Sequence, residues 1–76
     1  MAFYKVTFTI DGTRHFTTGT SSYPTIEQIR NNDWLHDVAM TNAGMFIAGY
    51  KEVKGIDNDK KAYDISYEIY ENQSFL

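Results

Sequence analysis

Asp57-x-Asp59 followed by Glu68 is the set of carboxylates in this chain that comes nearest to a calcium loop. Hard cations are held by carboxylate oxygens at alternate positions with a closing glutamate. The match fails where it matters. Lys61 stands where an oxygen ligand belongs, and Ala62 stands where the sharp turn needs glycine. Asp57 and Asp59 therefore read as parts of a polar turn. His15 and His36 are the side chains suited to proton transfer or zinc binding at neutral pH. His36 lies between Asp33 and Asp37, at spacings of three and one that do not put all three on one helix face. No nucleophile is suggested beside either histidine, and there is no cysteine to supply a thiolate. Gly44, Gly49 and Gly55 are too irregularly spaced to cradle a phosphate. The expectation is a protein that is not an enzyme and holds no metal or cofactor.

The residues better suited to binding lie in Tyr63–Glu71. Tyr63, Ile65, Tyr67 and Ile69 alternate with Asp64, Ser66 and Glu68, the period of a strand with one buried and one wet face. The wet face carries Asp64 and Glu68 and no base. With Glu71, Asp57 and Asp59 it makes the C-terminal third acidic, against Lys54, Lys60 and Lys61. Exposed carboxylates ordinarily solubilise a small protein and guard a strand edge. They can also dock a basic surface, giving on-rate and orientation. Tyr50 and Tyr70 are the candidate anchors of such a contact, since tyrosine is enriched at interface centres.

The rest of the 76 residues must position that strand. With no disulfides, the core has to come from the 42% hydrophobic and 16% aromatic content. A single domain over residues 1–76 is expected. Tyr4, Val6, Phe8 and Ile10 alternate with Lys5, Thr7 and Thr9, so Phe3–Ile10 reads as a strand. It forms a hairpin with Arg14–Thr18 around Asp11-Gly12. A three-residue or bulged loop would put Phe16 on the face of Val6 and Phe8, burying it for roughly 2 kcal/mol. That register is expected, with Arg14 near the core edge and His15 facing water.

Thr25 and Gln28 form a capping box, and Asp33 reads as the N-cap of a second helical stretch ending near Gly44. Trp34 is assigned to the core as the one large anchor. Met45–Val53 reads as a further strand, apolar on both faces. The fold class is then α+β: two antiparallel hairpins, ββ-α(α)-ββ, forming a four-stranded sheet with helix packed on one face.

The charge of −3 disfavours nucleic acid as a partner, because phosphate binding calls for a basic stripe. No run of residues is apolar enough to span a bilayer and no secretion signal opens the chain, so the cytoplasm is the expected location. In size, lack of cysteine and lopsided acidity the chain resembles small accessory proteins of phages and mobile elements. Some of those inhibit host nucleases, CRISPR effectors included, by occupying a basic surface; for such a protein the compartment is the host's cytoplasm. The resemblance rests on size and charge, not on a motif.

The expected function is a non-catalytic binder of a protein with a basic surface, acting through Asp64, Glu68, Tyr70, Glu71, Tyr50, Asp57 and Asp59. Two alternatives stand beside it. One is a single-stranded nucleic-acid binder using Lys5, Arg14, His15 and exposed aromatics. The other is a subunit that assembles with itself, as a homodimer for example, through Phe75, Leu76 and the segment Met45–Val53.

Overall fold

The computed structural model describes residues 2–71. In chain order the elements are β1 (Ala2–Ile10), β2 (Thr13–Ser21), α1 (Ile26–Arg30), α2 (Trp34–Lys54) and β3 (Tyr63–Tyr70). The strands form one antiparallel sheet in the order β2-β1-β3, with α2 packed on its inner face. The α+β class holds, but among the described residues the sheet has three strands rather than the expected four. The expected strand at Met45–Val53 is the second half of a 21-residue helix.

The reason lies in a longer pattern. Leu35, Ala39, Ala43, Ile47 and Lys51 are buried at every fourth position, and Val38, Phe46 and Tyr50 pack partly buried beside them. That is one continuous helical stripe. Within nine residues, Ile47 and the alternation around it fit either period, so the segment alone does not discriminate. Gly44, expected just past a helix end, sits in the helix interior at a cost of about 1 kcal/mol relative to alanine. The helix instead closes at Gly55, whose φ of 70° is left-handed. There Ile56 N–H donates to the Lys51 carbonyl at 2.8 Å and Gly55 N–H to that of Glu52 at 3.3 Å, the Schellman pattern.

The capping box at Thr25 and Gln28 is formed as expected. Asp33 makes no side-chain cap. The Asn32 Oδ1 accepts from Trp34 N–H instead, at 3.1 Å. Trp34 is 63% exposed, not a core anchor. The core is built by β1 against the buried stripe of α2 and Ile29 of α1, with Tyr4, Val6 and Phe8 fully buried and worth about 2 kcal/mol each by area.

The hairpin register also differs from expectation. Ile10 pairs with Thr13, so the turn is two residues, Asp11 (φ 51°) and Gly12 (φ 77°). Two left-handed residues make the type I′ turn, whose twist suits a hairpin. Phe16 pairs with Thr7 on the outer face and is 61% exposed. The inner face of β2 carries His15, Thr17 and Gly19 instead. Gly19 is where the Phe46 ring of α2 presses on the strand: an added Cβ would stand 2.6 Å from it. A one-residue slip would replace that glycine with a threonine. Seating the helix outweighs burying one phenylalanine.

Candidate functional site

Since α2 covers the inner face, the outer face of the sheet is left open among the described residues. Pairing assigns its side chains. Phe3, Lys5, Thr7 and Thr9 of β1 lie between Arg14, Phe16, Thr18 and Thr20 of β2 and Tyr63, Ser66, Glu68 and Tyr70 of β3.

One member of that set breaks the period. β3 carries an extra residue between its pairings Thr7↔Ser66 and Thr9↔Tyr63, and Asp64 there has a φ of 51°. This bulge turns Tyr63 to the outer face, away from Ile65, Tyr67 and Ile69, which stay inward. The sequence pattern put all four on one side.

Arg14 holds this face together. Its Nη1 donates to Thr9 Oγ1 at 2.8 Å and to the Asp64 carbonyl at 2.7 Å, so one guanidinium ties β2 to β1 and to the bulge of β3. It covers Thr9, which is buried, and is not at the core edge as expected. At the same end Gly12 N–H donates to Tyr63 Oη at 3.1 Å. Lys60 Nζ sits 2.8 Å from Asp11 Oδ2, and that carboxylate, by hydrogen bond and by charge, holds the lysine above its ordinary pKa.

The centre of the face has balanced charge. Lys5 is directly opposite Glu68 and rests its ammonium 5.5 Å from the centroid of the Phe16 ring. Tyr70 Oη donates to Glu68 Oε2 in a short hydrogen bond. That bond first, then burial and the carboxylate's charge, raises the phenol pKa above the usual tyrosine value.

The seven residues expected to form one acidic site are therefore dispersed. Asp64, Glu68 and Tyr70 lie along β3 and Glu71 just past its end. Asp57 and Asp59 are at the opposite end of the molecule's β3, in the loop leading into it. There the Asp57 carboxylate accepts from Asp59 N–H at 3.0 Å and shapes the turn. Tyr50 is in the other layer: it meets Phe8 edge-on, with ring centroids 5.3 Å apart, and its hydroxyl is 3.0 Å from His15 Nδ1. His15, expected in water, is half-buried between Phe8 and Tyr50. His36 Nδ1 lies 2.8 Å from Tyr67 Oη, whose pKa is raised by burial and then by the Asp37 charge. Both histidines thus join helix or strand to the other layer through a tyrosine. Phe75 and Leu76 lie outside the described residues.

Sequence reasoning missed Phe16 and Tyr63 as exposed aromatics. The Asp11-Gly12 dipeptide, which favours a two-residue turn, was the available signal for Phe16. Nothing local announced the bulge. Among the described residues no group of three or more His, Asp and Glu is placed to hold a metal ion. No described helix is long and apolar enough to cross a membrane. No protein-family model, curated protein or solved structure matches the chain.

Proposed function

We propose that the protein is a non-catalytic binding module that engages a protein partner with the outer face of its sheet. The observation that supports this is the pair of large aromatics on that face: Phe16 and Tyr63, 61% and 47% exposed, set among threonines and one charge of each sign at the centre. Aromatic side chains with few rotatable bonds are the usual energetic centres of protein interfaces. Glu68, Asp64 and Glu71 along β3 favour a partner that is basic where it meets that strand. Proteins that handle nucleic acids present such surfaces, and covering one would inhibit its owner.

A second reading has one observation in its favour. Lys5 over Phe16 resembles the stacking-plus-cation arrangement of single-strand binders. Against it, Arg14 is engaged by Thr9 and Asp64, Glu68 opposes Lys5, and the chain carries −3.

The test is capture of partners from a lysate with and without nuclease, using wild type and the Phe16→Ser, Tyr63→Ser variant. The expected result is a stoichiometric protein that survives nuclease and is bound at least about tenfold more weakly by the variant, the loss of a modest hot spot. Capture indifferent to both substitutions would rule out the outer face. Recovery of an oligonucleotide, lost on Lys5→Glu, would replace this reading with the second.

A further inference from the structure

The two edges of the sheet are not alike. The β3 edge is guarded by the bulge at Asp64 and by the carboxylates of Asp64 and Glu68, devices that discourage strand addition. β2 has none of these. It runs nine residues in unbroken register with β1, and its stretch His15–Ser21 contains no proline and no carboxylate, lysine or arginine. No described residue pairs with its outer side.

Beside that edge lies an apolar groove of ≈ 360 Å³, lined by Thr17 and Thr18 of β2 and by Met45, Phe46, Gly49, Tyr50 and Val53 of α2. Met45, Gly49 and Val53 recur every fourth residue on the helix. Met45 is 67% and Val53 84% exposed, and both border the same groove rather than standing singly on the surface.

We propose that these two features together bind a second copy of the chain. A two-fold axis normal to the sheet pairs β2 antiparallel with itself and makes one six-stranded sheet. The same operation brings the second α2 to the far wall of the groove, antiparallel to the first. A register centred on Thr17 keeps every side chain on its own face, with Phe16 opposite Thr18, Arg14 opposite Thr20 and His15 opposite Gly19. No like charges face each other in that ladder. On the helices, Met45 of one copy meets Val53 of the other across the Gly49 pair, where the missing side chains let the backbones approach.

A second copy is the occupant because it supplies a strand and an apolar helix stripe at the matching height; a lone foreign strand would leave Met45 and Val53 in water. The area suffices for a weak dimer. Nine strand residues span about 30 Å, and the molecule is 17 Å across its thinnest dimension. The contact is then roughly 500 Å² on each copy, about 1,000 Å² in total, the lower bound for a specific interface. It leaves the outer face free, so it is independent of the partner proposed above.

The experiment is analytical ultracentrifugation of the full chain from about 1 µM to 1 mM, the range appropriate to so small an interface. It compares wild type with the Met45→Lys, Val53→Lys variant, and thermal melts at the lowest concentration report the fold of each. The expected result is a mass that doubles with concentration in wild type and stays monomeric in the variant, with the two melts coincident. A wild type monomeric throughout, or a variant that still dimerises, would overturn the proposal. Should the variant melt early, Thr17→Cys decides the matter in a chain that has no cysteine. Under mild oxidation it should cross-link to its own copy far faster than the exposed control Glu27→Cys, and equal rates would refute the pairing.

Discussion

Gly19→Ala is the smallest change that interrogates how the helix sits on the sheet. The new methyl carbon would stand 2.6 to 2.9 Å from three carbons of the Phe46 ring. Carbon atoms prefer about 3.5–4.0 Å, so ring or strand must yield by about 1 Å. The Phe46 ring is held on one side, where it meets buried Tyr4 edge-on at 5.4 Å between centroids, and borders the groove on the other. Overpacking of this kind costs about 1–3 kcal/mol. Replacing glycine in an extended strand returns about 0.5–1 kcal/mol through the unfolded chain. The net expectation is a loss of about 1–2 kcal/mol, or a melting point lower by about 5–15 °C for a domain of this size. Urea denaturation of Gly19→Ala, Phe46→Ala and the double variant measures it as a cycle. With the ring gone, Gly19→Ala should become neutral or stabilising. If Gly19→Ala is harmless in the wild-type background, or costs the same without Phe46, then α2 does not cross β2 at that point and the register argument fails with it.

Gly44→Ala, in the exposed interior of α2 with nothing within 4 Å of the added carbon, should stabilise by about 0.5–1 kcal/mol in the same urea assay; a loss would argue that residue 44 is not helical. Tyr4 Oη is buried without a hydrogen-bond partner among the described residues, while the nearby Asn42 Nδ2 donates to the Tyr23 carbonyl at 2.9 Å. Tyr4→Phe should therefore be neutral or stabilise by about 1 kcal/mol, and a loss above that would show that the hydroxyl is bonded. Burial raises the Tyr4 pKa above 10.0, so its unfolded form ionises first. Stability should be steady below that pH and fall as pH climbs toward the folded pKa, with Tyr67 adding to the fall. Tyr4→Phe should shallow that decline, and an unchanged slope would contradict the burial. At the bulge, Asp64→Asn should be nearly neutral, because asparagine tolerates a left-handed backbone, whereas Asp64→Val should cost about 1–2 kcal/mol; equal melts would deny the bulge.

Much of the local structure was legible because short-range chemistry dictates it. The alternation in Tyr4–Ile10 and in Ile65–Ile69 made strands, Thr25 with Gln28 made the capping box, and Asp11-Gly12 marked the hairpin. Most of the errors turned on residues outside the segment concerned, whereas the Phe16 register had its signal in Asp11-Gly12 beside it. Met45–Val53 is helix because its stripe continues from Leu35, a pattern longer than the segment. Tyr63 faces outward because Asp64 bulges, and Tyr50 lies in the other layer because the residues around it are helical. The acidic site dispersed for the same reason, since carboxylates close in sequence fall at opposite ends of a strand and on a loop.

What this sequence determines alone is the strand alternation at Tyr4–Ile10 and Ile65–Ile69, the capping box of Thr25 and Gln28 and the turn at Asp11-Gly12, together with an acidic balance. Those follow from backbone sterics and hydrogen bonds within a few residues. The outward turn of Tyr63, the staple made by Arg14 and the apolar groove beside β2 were decided only by tertiary structure. A side chain's face depends on register, and register is chosen by what packs on the sheet: here the Phe46 ring, which needs a glycine beneath it.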